Sequence, residues 1–307
     1  MRKIQDLFTA EDAEVQSEDT VLFCCFFLCV ALRPCGEEIF CRLSFWFEVT
    51  VQDLDYLGGK IMADKFEAKL LGVLGGMGPM AGAAFMERLT AMTDVQYDQQ
   101  HIPAVLWSDP RVPDRTQAKL HGGEDPLPWL LNGIRHLEQV GAKAIVITCN
   151  AAHMWYDQMA SSTRLPILHI VKATIDDLQN RGVRQGKIGV MAAAGTLKTA
   201  MYQQELESRG FTCVIPTGEE IEKYCHTSLY LVKANQIAES YEPAVECVQR
   251  LQQRGAVAVV LGCTELPLAI PHTRRPEMGL EMADSIDGLA AAAIRWYFET
   301  SVAVGRV

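Results

Sequence analysis

Two segments of the chain echo one another, and each carries a cysteine one residue before its end. Residues 137–150 read LEQVGAKAIVITCN and residues 251–264 read LQQRGAVAVVLGCT; seven of the fourteen positions are identical, among them Gly141/Gly255, Ala142/Ala256 and Cys149/Cys263. A second echo lies upstream of each copy, where LLGVLGGMGP (70–79) matches KIGVMAAAGT (187–196) at Gly72/Gly189, Val73/Val190 and Gly78/Gly195. Self-similarity of this kind marks a duplicated structural unit. Two like units that each carry one thiol at the same structural point can face those thiols across a shared cleft. That geometry suits chemistry in which two proton-transfer groups act on opposite faces of one carbon.

The pattern around the copies selects the fold class. LLGVLGG (70–76), AVLWSDP (104–110), AKAIVITCN (142–150) and LPILHIV (165–171) read as short buried strands. Between them lie a helix that starts near Pro79, a loop RVPDRTQ (111–117), a helix over 125–141 stopped by Gly141, and a helix over 151–160. The pattern then restarts: strand and turn over 186–196, helix over 197–210, strand over 211–217, helix over 242–255, strand over 256–264 and a closing helix over 284–299. Strands alternating with helices predict α/β architecture, with parallel sheets covered by helices. The expected organisation is two similar domains from a duplicated unit: residues 66–173 plus 281–300 form the first, and 174–280 the second. The site is expected in the cleft between them, because ligands of such sheets bind at the carboxyl ends of the strands.

Composition narrows the function classes. The formal net charge is −10, which leaves no basic patch for nucleic acid. An anionic substrate therefore has to be gripped by local cations. Ten cysteines are present, but Cys24, Cys25, Cys29, Cys35 and Cys41 crowd the N-terminus, the rest are scattered, and there is no CxxC pair. That usage predicts reducing cytosol rather than a disulfide or zinc framework. The apolar run VLFCCFFLCVAL (21–32) is too short to span a bilayer and follows acidic rather than basic residues. Residues 1–65 are read as an N-terminal extension outside the fold, with Met62 as an alternative start.

The two cysteines carry the chemistry. Each follows an apolar strand and precedes a helix, where backbone N–H groups and the helix dipole favour a thiolate. The backbone at Asn150-Ala151 and Thr264-Glu265 can hold a carboxylate, and Asn150 and Thr264 add side-chain donors. His153 reads equally well as a thiol partner and as a satisfied helix histidine. GGMGP (75–79), which includes Gly76 and Met77, lacks the form of a phosphate loop, so its glycines are read as letting backbone approach a small ligand. Arg115 lies where a strand-end loop would overhang the cleft, with Arg111 nearby, and Lys233 in YLVKANQ can reach from the second half. The remaining histidines lack metal spacing, so no metal is expected, and no lysine has the context of a pyridoxal Schiff base.

Taken together, GVLGGMGP, PDRT (113–116), TCNAAH (148–153) and GCTEL (262–266) resemble the cofactor-independent aspartate/glutamate racemase family, and its aspartate racemases most closely. The resemblance runs from about residue 69 to 300. It implies a cofactor-free, cytoplasmic amino-acid racemase, a homodimer, in which Cys149 and Cys263 act as thiolate and thiol on opposite faces of the α-carbon. It also implies that Arg115 and Lys233 bind the side-chain carboxylate of an acidic amino acid. The family usually has Thr where this chain has Ala151, and a more hydroxyl-rich turn where it has AAAGT, which leaves Thr196 as a contact. Both departures bear on substrate preference. Glutamate racemase, a broader Asp/Glu racemase, and a dicarboxylate-binding protein without catalysis are the alternatives.

Overall fold

The computed structural model describes residues 69–302. The expected extension over 1–65, with its five cysteines and apolar run, lies outside the described residues.

Among the described residues, eight strands form two sheets. The first holds β1 (Leu71–Gly75), β2 (Ala104–Ser108), β3 (Ala144–Ile147) and β4 (Ile167–Leu168) in the order β2-β1-β3-β4. The second holds β5 (Lys187–Met191), β6 (Thr212–Val214), β7 (Ala258–Leu261) and β8 (Glu281–Asp284) in the order β6-β5-β7-β8. Every pairing is parallel. The two orders are the same once each strand is matched with its counterpart, so the repeated motifs report a repeated topology.

Side-chain alternation explains why these strands read as continuous apolar runs. Along β3, Ala144 and Val146 join the central core while Ile145 and Ile147 join the outer core of the first lobe. Along β7, Ala258 and Val260 face the same central core while Val259 and Leu261 face the outer core of the second lobe. Each strand thus buries both faces, as period-two geometry requires in a covered parallel sheet. The central core also takes Ile170, Ile175 and Leu178 from helix Ile170–Asn180 and Ile286, Leu289 and Ala293 from helix Ser285–Val302.

The repeated residues have repeated jobs. A Cβ on Gly72 would meet Leu137 and Ala142 at 3.2 and 3.0 Å, and a Cβ on Gly189 would meet Leu251 at 3.1 Å. Leu137 and Leu251 are themselves matched positions in the two copies, so each glycine lets the same helix pack closely on the same strand. Helices Leu127–Gln139 and Ile237–Gln253 end near Gly141 and Gly255, both at φ +88°.

Several expectations need correction. Helix Arg115–His121 begins inside the segment read as loop RVPDRTQ, because the Asp114 side chain accepts a hydrogen bond from Gln117 N at 2.7 Å and caps it. The strand expected over 165–171 shrinks to β4, since helix Ile170–Asn180 begins two residues later. Residues 218–233, not assigned from sequence, are helical almost throughout. The second lobe extends past residue 280, because β8 pairs with β7 from Ala258↔Glu281 to Leu261↔Asp284. Only the helix after β8 returns to the first lobe, where it packs on helix Pro79–Met92 and where Arg88 grips Asp287 through two hydrogen bonds of 2.6 and 3.1 Å. Among the described residues, no helix is long and apolar enough to cross a membrane.

Candidate active site

In each sheet the chain crosses over between neighbouring strands, β1 and β3 in one and β5 and β7 in the other. The crevice at their carboxyl ends is the natural binding place of an open parallel sheet. Gly76 and Met77 follow β1 directly, and Cys149 lies two residues past β3. In the second lobe Ala193 follows β5, and Cys263 lies two residues past β7. All but Gly76 line one narrow chamber, together with Asn150, Ala151 and Thr264. It opens into a wider chamber of about 300 Å³ bordered by Gly76, Gly78 and Pro110. Met77, Asp114, Arg115, Lys233 and Glu265 border both chambers, so the two form one cleft.

Gly76 sits at φ +92°, and a Cβ there would lie 2.3 Å from the Asp109 carbonyl oxygen. No L side chain fits this turn without moving the backbone that shapes the cleft. Gly76→Ala is expected to destabilise the fold by about 3 kcal/mol from strain and overlap together. Chemical denaturation measures it, and an unchanged midpoint would show that the turn relaxes freely.

Arg115 opens the helix capped by Asp114. Its Nη1 donates to the carbonyls of Val112 and Pro113 at 3.1 and 3.0 Å, and its Nη2 donates to that of Met77 at 3.2 Å. A guanidinium has five N–H donors. The three bonds hold the head rigidly, while Nε is buried with no partner. Burial works against its charge, but Cys149, Asp114 and Glu265 outweigh that and hold it firmly cationic. The result is a buried, preorganised cation with donors to spare, suited to a carboxylate.

On the facing side, Cys263 Sγ donates to Glu265 Oε2 at 3.0 Å. Glu265 Oε1 in turn accepts from Gly78 N, in the first lobe, at 3.3 Å. Loss of water around the sulfur, then the Glu265 charge and hydrogen bond, push the Cys263 thiol well above its ordinary value. Lys233, an exposed residue whose head reaches the cleft, keeps its proton more tightly than usual: partial loss of water around the head opposes the charge, but Glu265, Cys263 and Cys149 more than compensate. Thr264 Oγ1 donates to Thr148 O at 3.3 Å across the lobes. Among the described residues, no backbone acceptor takes the backbone N–H of Asn150 or Thr264.

Other expected residues behave differently. The Asn150 carboxamide, expected to donate to substrate, is held at both ends: its Nδ2 donates one bond to Ser285 Oγ at 2.8 Å and its Oδ1 accepts from Tyr202 OH at 2.6 Å. His153 proves to be the satisfied helix histidine: its Nδ1 bonds Cys149 O at 2.9 Å and its Nε2 accepts from Ile170 N at 3.2 Å. Burial, then the neighbouring His169, lowers its pKa to about 3, so the ring is neutral. Its part is to pin the Cys149 carbonyl from behind. Thr196 is buried with its hydroxyl unpartnered, but it borders neither chamber. Arg111 is an exposed ion pair with Asp109 at 2.8 Å. Sequence reasoning missed Asp114 and Tyr202. The signal for Asp114 was present, an Asp three residues before a backbone N–H it can cap; for Tyr202 there was none.

The chain is similar to known proteins. The structure of the Picrophilus torridus aspartate racemase superposes with a TM-score of 0.66 at 30% identity, covering 74% of this chain and 94% of that one. A broad-specificity amino-acid racemase of Bacillus subtilis is 27% identical over 152 residues, 46% of this chain and 62% of that protein. A glutamate racemase of Enterococcus faecalis is 29% identical over 136 residues, 42% of this chain and 46% of that protein. The family model described as Asp/Glu/Hydantoin racemase matches residues 74–293, from within β1 onward, which takes in the other seven strands and both cysteine loops. With its duplicated parallel sheets and its paired thiols in one cleft, the chain belongs to the Asp/Glu/hydantoin racemase family of isomerases.

Proposed function

We propose that this racemase interconverts L- and D-aspartate by proton transfer between two cysteines, without pyridoxal phosphate. The observation that carries the reading is the cleft itself. One thiol from each duplicated half enters it, between a carbonyl-tethered Arg115 and a charged Lys233. Arg115 and Lys233 hold the side-chain carboxylate. The backbone N–H groups at Asn150 and Thr264 hold the α-carboxylate, where charge accumulates as the α-proton leaves. Cys149 takes the proton from one face and Cys263 returns one to the other, and the reverse reaction exchanges the roles.

The surroundings of the two thiols are unequal. Glu265 lies against Cys263 and disfavours its ionisation, so Cys263 rests as the proton donor and Cys149, beside Arg115, takes the base role. Removing the Glu265 charge lowers the Cys263 pKa, so the donor is lost at lower pH. Glu265→Gln is therefore expected to move the alkaline limb of the rate profile down by about one pH unit in the direction that uses Cys263 as acid. An alkaline limb that stays in place would remove Glu265 from the proton inventory.

Proton NMR of the protein with L-aspartate in D₂O, without added pyridoxal phosphate, tests the proposal, with optical rotation followed on the same sample. Loss of the α-proton signal together with decay of rotation is the expected result. Unchanged signal and rotation with reduced thiols would reject it. A parallel sample with glutamate decides a second reading, a wider Asp/Glu range. That reading is favoured by the 300 Å³ chamber beyond the thiols and by Ala151, whose methyl leaves room where the family usually carries a hydroxyl.

A further inference from the structure

Tyr202 is the largest fully buried side chain of the described residues, and it touches both cysteine loops. Its hydroxyl donates to Asn150 Oδ1 at 2.6 Å, on the residue that follows Cys149. Its ring edge lies against Gly262, the residue that precedes Cys263: a Cβ on Gly262 would be 2.7 Å from Tyr202 Cε2 and 3.1 Å from Cδ2. Gly262 cannot retreat easily, because its N–H donates to Met191 O at 2.7 Å.

The first loop is clamped from its other side as well. Asn150 Nδ2 donates to Ser285 Oγ at 2.8 Å, and His153 bonds the Cys149 carbonyl at 2.9 Å. The Tyr202 hydroxyl also lies 3.3 Å from Thr174 Oγ1, which itself donates to Ile170 O at 2.7 Å. Ile170 is the residue whose N–H supports His153. Tyr202 belongs to helix Met201–Ser208 of the second lobe, which is turned in by Ala200 in the left-handed region at φ +56°. A rigid ring therefore stands between the loop of one thiol and the loop of the other.

We infer that Tyr202 is a positioning residue for the two-thiol reaction: it bridges the Asn150 carboxamide and the Gly262 backbone and so sets the gap between the Cys149 and Cys263 sulfurs. The inference rests on the racemase reading above. Two-base transfer needs both sulfurs near one carbon at the same time, whereas binding a dicarboxylate does not. An error of about 1 Å in such a constellation can cost on the order of 100-fold in rate. Loss of the hydroxyl frees the Asn150 side, and a methyl on Gly262 pushes from the Cys263 side.

The test uses Tyr202→Phe and Gly262→Ala in the full chain, with two readouts. In the first, racemisation and solvent-deuterium exchange at the α-carbon are followed together on aspartate. Both variants are expected to lose roughly 10- to 100-fold in kcat with KM changed less than about threefold. Their ratio of exchange to racemisation is expected to rise, because a proton taken by one thiol is returned from the same face. Lower melting temperature with an unchanged ratio and unchanged kcat would mean that Tyr202 only packs, and would overturn the inference.

The second readout does not depend on turnover. Bis-methanethiosulfonate reagents of increasing length are allowed to join Cys149 to Cys263, and the product is identified by peptide mass. The inference expects one preferred length in the parent and a shifted or broadened preference in both variants. Identical length profiles overturn it. If the parent shows neither exchange nor racemisation on either acid, the racemase reading fails, and the length profiles alone decide the role of Tyr202.

Discussion

Cys149→Ser and Cys263→Ser are each expected to lower racemisation by at least about 10³-fold, or roughly 4 kcal/mol of barrier, while leaving the fold intact. A hydroxyl is nearly isosteric with a thiol but is a far weaker acid, so it can neither take nor supply the proton at the required driving force. The two variants are not expected to behave alike. Glu265 accepts from Cys263 Sγ at 3.0 Å and disfavours its thiolate. With Cys149 replaced, the remaining sulfur is rarely ionised, so α-proton exchange with solvent should fall far below that of the other variant, along with racemisation. With Cys263 replaced, Cys149 keeps its place beside Arg115 and should still exchange the α-proton of one enantiomer without inverting it. Deuterium wash-in on separate L- and D-aspartate samples reads both. Near-parental racemisation in either variant would end the two-thiol mechanism, and equal residual exchange in both would end the asymmetry.

Arg115→Ala is the second large effect. Truncating one partner of a buried charged hydrogen-bond pair costs about 2–5 kcal/mol, so kcat/KM on aspartate should fall by roughly 30- to 5000-fold. The loss is expected to be specific. An amino acid without a side-chain carboxylate, such as alanine, gains nothing from the Arg115 fork, and its slow turnover should change little. The same substitution leaves the carbonyls of Val112, Pro113 and Met77 without their donor, which should lower stability by about 1–3 kcal/mol. Arg115→Lys separates these consequences. It retains a charge but cannot bond three carbonyls and a carboxylate at once, so it should fall between parent and Ala in both activity and stability. Equal losses on aspartate and alanine would mean that Arg115 shapes the cleft without touching the side-chain carboxylate.

Much of this was legible in the sequence for a specific physical reason. A residue that must be glycine, or must be apolar on every position of a strand, is constrained by local geometry, and local geometry leaves a repeated trace. Gly72 and Gly189 admit Leu137 and Leu251, Gly141 and Gly255 end helices at the same φ, and β3 and β7 bury both faces. The matched sheet orders follow from those traces. The thiols were legible because each stands at the matching point of an echoed segment.

What depended on long-range contact was not. The cap at Asp114 turned an expected loop into the helix that carries Arg115. The strand β8 carries an Asp at its end that reads as the start of a helix, and only pairing with β7 makes it a strand. Asn150 stands next to a cysteine and has the donors of a substrate contact, yet its carboxamide bonds to Tyr202 and Ser285. These partners lie 52 and 135 residues away, beyond the reach of any local pattern.

The sequence by itself determined the duplicated parallel-sheet plan and the two sulfurs, because spacing and apolar periodicity are properties of a single segment. Only the tertiary structure decided which polar groups face the cleft, which are used up in holding it, and which sulfur carries a carboxylate against it. A hydrogen-bond donor satisfied by one partner is no longer free for another, and that choice is made only where distant segments meet.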